Sequence, residues 1–180
     1  MSSYSDLHPA SLLEDYAGLF LERPLPGPVL DLACGDGHNG LFLAARGLSV
    51  TLCDRSEETL AKARASASKA NLPVHFWQAD LETGEEGLLP KESFGAILVF
   101  RYLHRPIMPD IREALSRGGL LMYETFTVDQ PRFGKPRNPD FLLRHGELRT
   151  WFQDWNILHD FEGIKDDPPR AVAQIICRRP

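Results

Sequence analysis

The chain has 180 residues, 43% of them hydrophobic and 25% charged, which suits one globular domain with a sizeable core. Its net charge of −5 and the absence of any Lys/Arg block argue against a nucleic-acid partner, since phosphate binding calls for a basic surface. No apolar run approaches the ~20 residues of a membrane helix, and Met1–Asp6 carries neither the basic nor the apolar region of a secretory leader, so a cytoplasmic protein is expected.

Leu12, Leu13, Tyr16, Leu19 and Phe20 recur at helical spacing and predict an amphipathic helix over about 10–20, which Arg23–Pro28, rich in proline, then breaks. Short apolar runs and helical patterns alternate from there. Pro28–Ala33 reads as a buried strand, Gly37–Arg46 as a helix, and Leu48–Cys53 as a second strand. Ser56 caps a helix with Glu57 and Glu58 in its first turn, where the dipole favours acids, and Leu60, Ala63, Ala67 and Ala70 line one face. Val74–Gln78 is a third strand, and residues 81–93 a loop. Phe94–Phe100 is nearly continuously apolar, the mark of a strand covered on both faces. A short helix over Asp110–Leu115 is expected to stop at Gly118–Gly119, ahead of a fifth strand at Leu120–Phe126.

Residues 127–146, with several prolines and with Arg132, Lys135 and Arg137, form a candidate lid. A helix at Glu147–Phe152, a strand at Trp155–Phe161, a turn at Lys165–Pro169 and a strand at Ala171–Cys177 follow. Strand–helix alternation implies a Rossmann-like, doubly wound, mostly parallel sheet of seven strands in one domain spanning 1–180. The last two strands, joined by a tight turn, should form an antiparallel C-terminal hairpin at one edge.

The chemistry concentrates where the first strand runs into Gly35-x-Gly37-x-x-Gly40 and a helix. Glycines let backbone approach a ligand closely, and the helix start offers free N–H groups. Asp31 lies on the first strand, Asp54 closes the second, and Asp80 follows the third. In a parallel sheet these ends share one crevice, where Asp54 can accept from ribose hydroxyls and Asp80 from an adenine amine. A pyrophosphate would be repelled by Asp31 beside the glycines, whereas a nucleoside bearing an ammonium and a sulfonium would be attracted.

Asp31 to Gly37, Asp54, Gln78-Ala79-Asp80, and Leu115 to Leu120 with its paired glycines together resemble, in order and spacing over residues 28–126, a class I S-adenosylmethionine-dependent methyltransferase. Within that class the chain is similar to the small tellurite-resistance (TehB-like) methyltransferases. It shares their length, the lack of an inserted acceptor domain, and Tyr123-Glu124-Thr125-Phe126 followed by a Pro- and Arg-containing segment. The family's His-Arg pair before the last strand is matched here by Arg170 alone.

The resemblance implies S-adenosyl-L-methionine as cofactor and S-adenosyl-L-homocysteine as product. Asp31 and the backbone of Ala33, Cys34, Gly35 and Gly37 would hold the methionine portion. Asp54 would bind the ribose, Arg55 would flank the adenine, and Asp80 with Leu81 would read its edge. Phe100 and Arg101 would face the methyl group and the acceptor.

After the fourth strand, Arg101 or Arg105 could clamp an oxyanion, His104 could serve as general base, and Tyr102 or Tyr123 could orient the nucleophile. The expected acceptor is a small, anionic molecule, a tellurite- or selenite-type oxyanion included, for a monomer or homodimer without nucleic-acid or membrane partners. Cys34, Cys53 and Cys177 show no CxxC and the histidines no HxxxH or HExxH, so no metal is assigned. The rival readings are an NAD-linked oxidoreductase using the same glycine turn, and a non-catalytic nucleoside-binding module.

Overall fold

The computed structural model describes residues 8–180; the Met1–Asp6 segment lies outside the described residues. Seven strands form one sheet: β1 (Val29–Leu32), β2 (Val50–Asp54), β3 (Val74–Gln78), β4 (Phe94–Phe100), β5 (Leu115–Phe126), β6 (Asn156–Asp166) and β7 (Pro169–Arg178). Their order is β3-β2-β1-β4-β5-β7-β6. The first five pair in parallel, and β7 runs antiparallel to both β5 and β6. Among the described residues the five α-helices are α1 (Ser11–Tyr16), α2 (His38–Ala44), α3 (Glu57–Lys69), α4 (Met108–Ala114) and α5 (Glu147–Trp151).

Strand alternation divides the core into two layers. Ile97, Val99, Leu121, Tyr123 and Ile175 turn to the side covered by α4 and α5, where Trp155 is buried and Trp151 packs alongside. Ala96, Leu98, Leu120, Met122 and Ile176 turn to the opposite side, against α1, α2 and α3. The α3 cap forms as its sequence dictates: the Ser56 hydroxyl accepts from the Thr59 N–H at 3.3 Å, and Leu60, Ala63 and Ala67 are buried. Burial makes the three free cysteines weak acids, with the Cys53 thiol pushed up to about 12.

The order reverses between β1 and β4, since β1 leads through α2 to β2 on one side while β4 lies on the other. At such a switch point the loops diverge and leave a crevice over the strands' carboxyl ends. Backbone strain collects on both lips of it. Ala33, just past β1, and Arg101, just past β4, hold φ of 54° and 56°, in the left-handed region that non-glycine residues avoid.

The expected stop at Gly118–Gly119 is corrected. Helix α4 ends at Ala114, and β5 begins at Leu115. Leu115 pairs with Phe94 and Leu120 with Ala96, so Ser116–Gly119 bulge out of the ladder. Gly118, at φ 74°, supplies the left-handed corner of that bulge, and its N–H donates to the Arg179 carbonyl. The last hairpin is also longer than its apolar runs suggest. Strand β6 is an edge that alternates between half-buried and exposed residues along its length, a pattern without the continuous apolar signal of a covered strand.

Candidate active site

A cavity of about 170 Å³ opens at the carboxyl ends of β1, β2 and β3, lined by Ala33, Asp54, Arg55, Ala79, Asp80, Leu81, Glu82 and Tyr102. Ala33, Ala79 and Leu81 give it apolar surface suited to a flat heterocycle, and the acids supply acceptors around it. Asp54 is fixed by backbone: Oδ2 accepts from the Gly35 N–H at 2.8 Å, and Oδ1 from the Ser56 N–H at 2.9 Å. A carboxylate has about four lone-pair sites, so acceptor capacity remains for ribose hydroxyls. Asp80 Oδ1 accepts from the Glu82 N–H at 2.9 Å, which turns the chain so that Glu82 also faces the cavity.

The three glycines of the turn do different work. A Cβ on Gly35 would meet nothing within 4 Å, so the space beside it is open to a ligand. A Cβ on Gly37 would come within 2.8 Å of Leu52, and one on Gly40 within 2.4 Å of the same side chain. Those two glycines let α2 pack down on β2.

Asp31 lies elsewhere than expected. It is 1% exposed, lines no part of the cavity, and accepts the Gly40 N–H at 2.7 Å beneath the turn. Burial raises its carboxyl to about 7, even though the Gly40 amide and His38 pull it down. It braces the start of α2 from inside the protein. At the turn itself the acid is Asp54, whose carboxylate accepts the Gly35 N–H, a donor of the kind that phosphates use at helix starts. Cys34 is likewise buried behind the lip, and Phe100 packs against the α1–α3 core.

A second cavity, of about 500 Å³, adjoins the first over β4 and β5 and shares Arg55, Glu82 and Tyr102 with it. Arg101, Leu103, Phe126, Lys135, Pro136 and Phe141 complete its wall. The Tyr102 hydroxyl is buried without a hydrogen-bond partner among the described residues, and burial together with the charge of Glu82 makes it a weaker acid than usual. Arg55 pairs with Glu82 at 3.3 Å. Among the described residues neither Arg101 nor Lys135 makes an ion pair. His104 lines a smaller recess next door with Glu82, Arg105 and Phe141.

Arg105 and Tyr123 sit differently from their sequence expectations. Arg105 is not free to clamp a substrate: it grips Glu147 through Nε at 2.7 Å and Nη2 at 2.9 Å and donates to the Asp140 and Leu142 carbonyls. Glu147 is burdened by burial, yet the guanidinium and the Arg144 amide hold it below the usual carboxylate range. Tyr123 is 1% exposed within the core, and its hydroxyl donates to the Tyr102 carbonyl at 2.9 Å, so it supports the β4 turn and does not reach the cavity.

Residues 127–146, the candidate lid, are tied back to the strands by hydrogen bonds. Val128 N–H donates to Leu143 O, Leu143 N–H to Phe126 O, and the buried Gln130 joins Lys135 O to the Ala171 N–H. Of the cations in this segment, Lys135 lines the second cavity, whereas Arg132 and Arg137 do not. Arg170, at the start of β7, has its Nη1 turned onto the Asp167 and Pro168 carbonyls. Glu82 was missed from sequence, although its place two residues after Asp80, in the loop beyond a strand end, was the available signal. Phe141 carried no signal at all, because its neighbours in the cavity are distant in sequence.

Among the described residues no group of three or more His, Cys, Asp or Glu could hold a metal, and no helix is long and apolar enough to cross a membrane. Residues 29–119 match the family model described as a methyltransferase domain. The chain is 30% identical over 148 residues to a probable S-adenosyl-L-methionine-dependent methyltransferase TehB of Haemophilus influenzae, covering 77% of this chain and 49% of that one. It is 37% identical over 113 residues to an uncharacterized methyltransferase of Mycobacterium tuberculosis, covering 59% of this chain and 54% of the other. The chain spans about half the length of the curated relatives it matches, so the length expected to be shared with TehB-like proteins does not hold for these. The crystal structure of TehB from Haemophilus influenzae superimposes with a TM-score of 0.77 at 23% identity, over 95% of this chain and 62% of that one. With the glycine turn, the acids at the ends of β2 and β3 and the reversed sheet order all in place, the chain belongs to the class I S-adenosylmethionine-dependent methyltransferases and is TehB-like.

Proposed function

We propose that this protein transfers a methyl group from S-adenosylmethionine to a small anionic acceptor held over β4 and β5. The observation that carries the acceptor's charge is the pair Arg101 and Lys135, unpaired among the described residues and lining a cavity that shares Arg55, Glu82 and Tyr102 with the acid-lined one. The first cavity suits the cofactor's nucleoside: an apolar slot, the partly committed Asp54 for ribose, Asp80 and the Leu81 backbone for the adenine edge, and open space at Gly35 for the methionine portion.

When bound, the cofactor supplies an electrophilic methyl on a sulfonium that leaves as a neutral thioether. Alignment and exclusion of water are then the protein's main contributions, worth several kcal/mol. Arg101 and Lys135 orient the acceptor's negative end, and Tyr102 lines the seam between the cavities. Where the acceptor carries a proton, Glu82 in the cavity wall could receive it, with His104 in the adjoining recess as a second candidate. The family likeness to TehB supports a tellurite- or selenite-type oxyanion as one acceptor to test. Incubation with S-adenosylmethionine and a panel of anionic and neutral acceptors, following S-adenosylhomocysteine release, tests the proposal. Turnover confined to anions and lost in Arg101→Gln is expected; turnover on neutral amines alone would overturn the acceptor's charge.

A further inference from the structure

The cavity over β4 and β5 is built for something larger and less polar than an inorganic oxyanion. Its volume of about 500 Å³ lies in the range of sites that take organic ligands. A single centre with its few oxygens would leave most of that space to water. The wall is largely hydrocarbon, contributed by Leu103, Phe126, Pro136 and Phe141. Phe141, which lines the cavity, is 49% exposed. An exposed aromatic on a concave wall is surface that a ligand's apolar part can remove from water.

The cavity's charged groups carry a positive excess, three cations against Glu82. Arg101 and Lys135 have no ion-pair partners among the described residues, while Arg55 and Arg105 beside them are tied to Glu82 and Glu147. Arg101 also holds a left-handed backbone, φ 56°, with its N–H donated to Glu124 O at 2.9 Å. Such a conformation fixes where its side chain leaves the chain and persists only where the surroundings over-determine it. The unpartnered Tyr102 hydroxyl adds one neutral hydrogen-bonding group to the wall. Apolar lining with a few placed polar groups is the composition of a small-molecule site.

We infer that this cavity binds an amphipathic organic anion, its apolar body against Phe126 and Phe141 and its carboxylate-type group on Arg101 and Lys135. That this anion is the methyl acceptor rests on the function proposed above; the binding chemistry does not.

Calorimetry on the full chain, with and without saturating S-adenosylhomocysteine, separates the two. The probes are phenylacetate, its neutral isostere phenylacetamide, and selenite. Phenylacetate is expected to bind about tenfold or more tighter than either of the others. The double variant Arg101→Gln/Lys135→Gln should bring phenylacetate down to the amide's affinity. Phe141→Ala should weaken phenylacetate and phenylacetamide by a similar factor, about fivefold, and leave S-adenosylhomocysteine affinity unchanged. Equal binding of acid and amide, selenite binding tighter than phenylacetate, or no binding of any probe by folded protein would overturn the inference. Loss of S-adenosylhomocysteine binding alone would overturn the methyltransferase reading and leave the acid-against-amide comparison to decide the cavity.

Discussion

On the β1–β2–β3 side of the crevice, every side chain facing the cavity sits at a strand end or a short step beyond it: Ala33, Asp54, Arg55, Ala79, Asp80, Leu81 and Glu82. The β4–β5 side is assembled differently. Arg101, Tyr102 and Leu103 follow β4, but Lys135, Pro136 and Phe141 come from a connecting segment that reaches the cavity only because distant contacts hold it. Arg105 reaches 42 residues along the chain to Glu147, and Gln130 reaches 41 to Ala171. The first half is set by local sequence on a regular sheet; the second depends on tertiary ties, and Arg55, Glu82 and Tyr102 are common to both.

The largest expected effect lies beneath the first half. The folded protein keeps the Asp31 proton up to about pH 7, whereas the unfolded chain releases it near 3.8. Stability contributed by this group is therefore full below pH 4 and falls as pH rises through 7. Asp31→Asn keeps the acceptor for the Gly40 N–H and removes the buried charge. Urea unfolding at pH 5 and 8.5 should show the variant gaining on wild type at the higher pH, by about 3 kcal/mol. A pH-independent difference would contradict the brace under the turn.

Next in size, Asp54→Ala should cost about a hundredfold or more in S-adenosylhomocysteine affinity, because it removes the ribose acceptor and frees the Gly35 amide together. Titration calorimetry reads this directly, and unchanged affinity would move the ribose elsewhere. For the other half, Arg105→Gln should raise acceptor KM about tenfold and lower stability by about 1–2 kcal/mol, with cofactor affinity retained. Weakened cofactor binding in that variant would show the two halves to be mechanically coupled. The smallest effect is at the lip: Ala33→Gly relieves a left-handed alanine and should stabilise the fold by about 0.5–1 kcal/mol in thermal unfolding.

The same contrast explains what could be read from the sequence. The β3 and β4 limits, Val74–Gln78 and Phe94–Phe100, follow from apolar runs alone, and Asp54 and Asp80 from their places after such runs. Asp31 was legible as an acid in the turn but not as a buried one. A strand covered on both faces buries whatever side chain it carries, and only the partner at Gly40 reveals what that carboxyl does. Tyr123 was misplaced for a related reason, since a hydroxyl in the middle of β5 reads as chemistry until its donation to Tyr102 O is seen. Arg105 looked free because its acid, Glu147, has no local relation to it. At Gly118 the left-handed corner was real, but it belongs to a strand bulge and not to a helix end.

The central claim is that the acid-lined cavity under Gly35 takes a nucleoside without phosphates. Calorimetry of the wild-type chain against S-adenosylhomocysteine and, separately, NAD tests it most directly. Micromolar binding of the first with none of the second is the predicted result; binding of NAD, or silence from both in folded protein, would contradict the account.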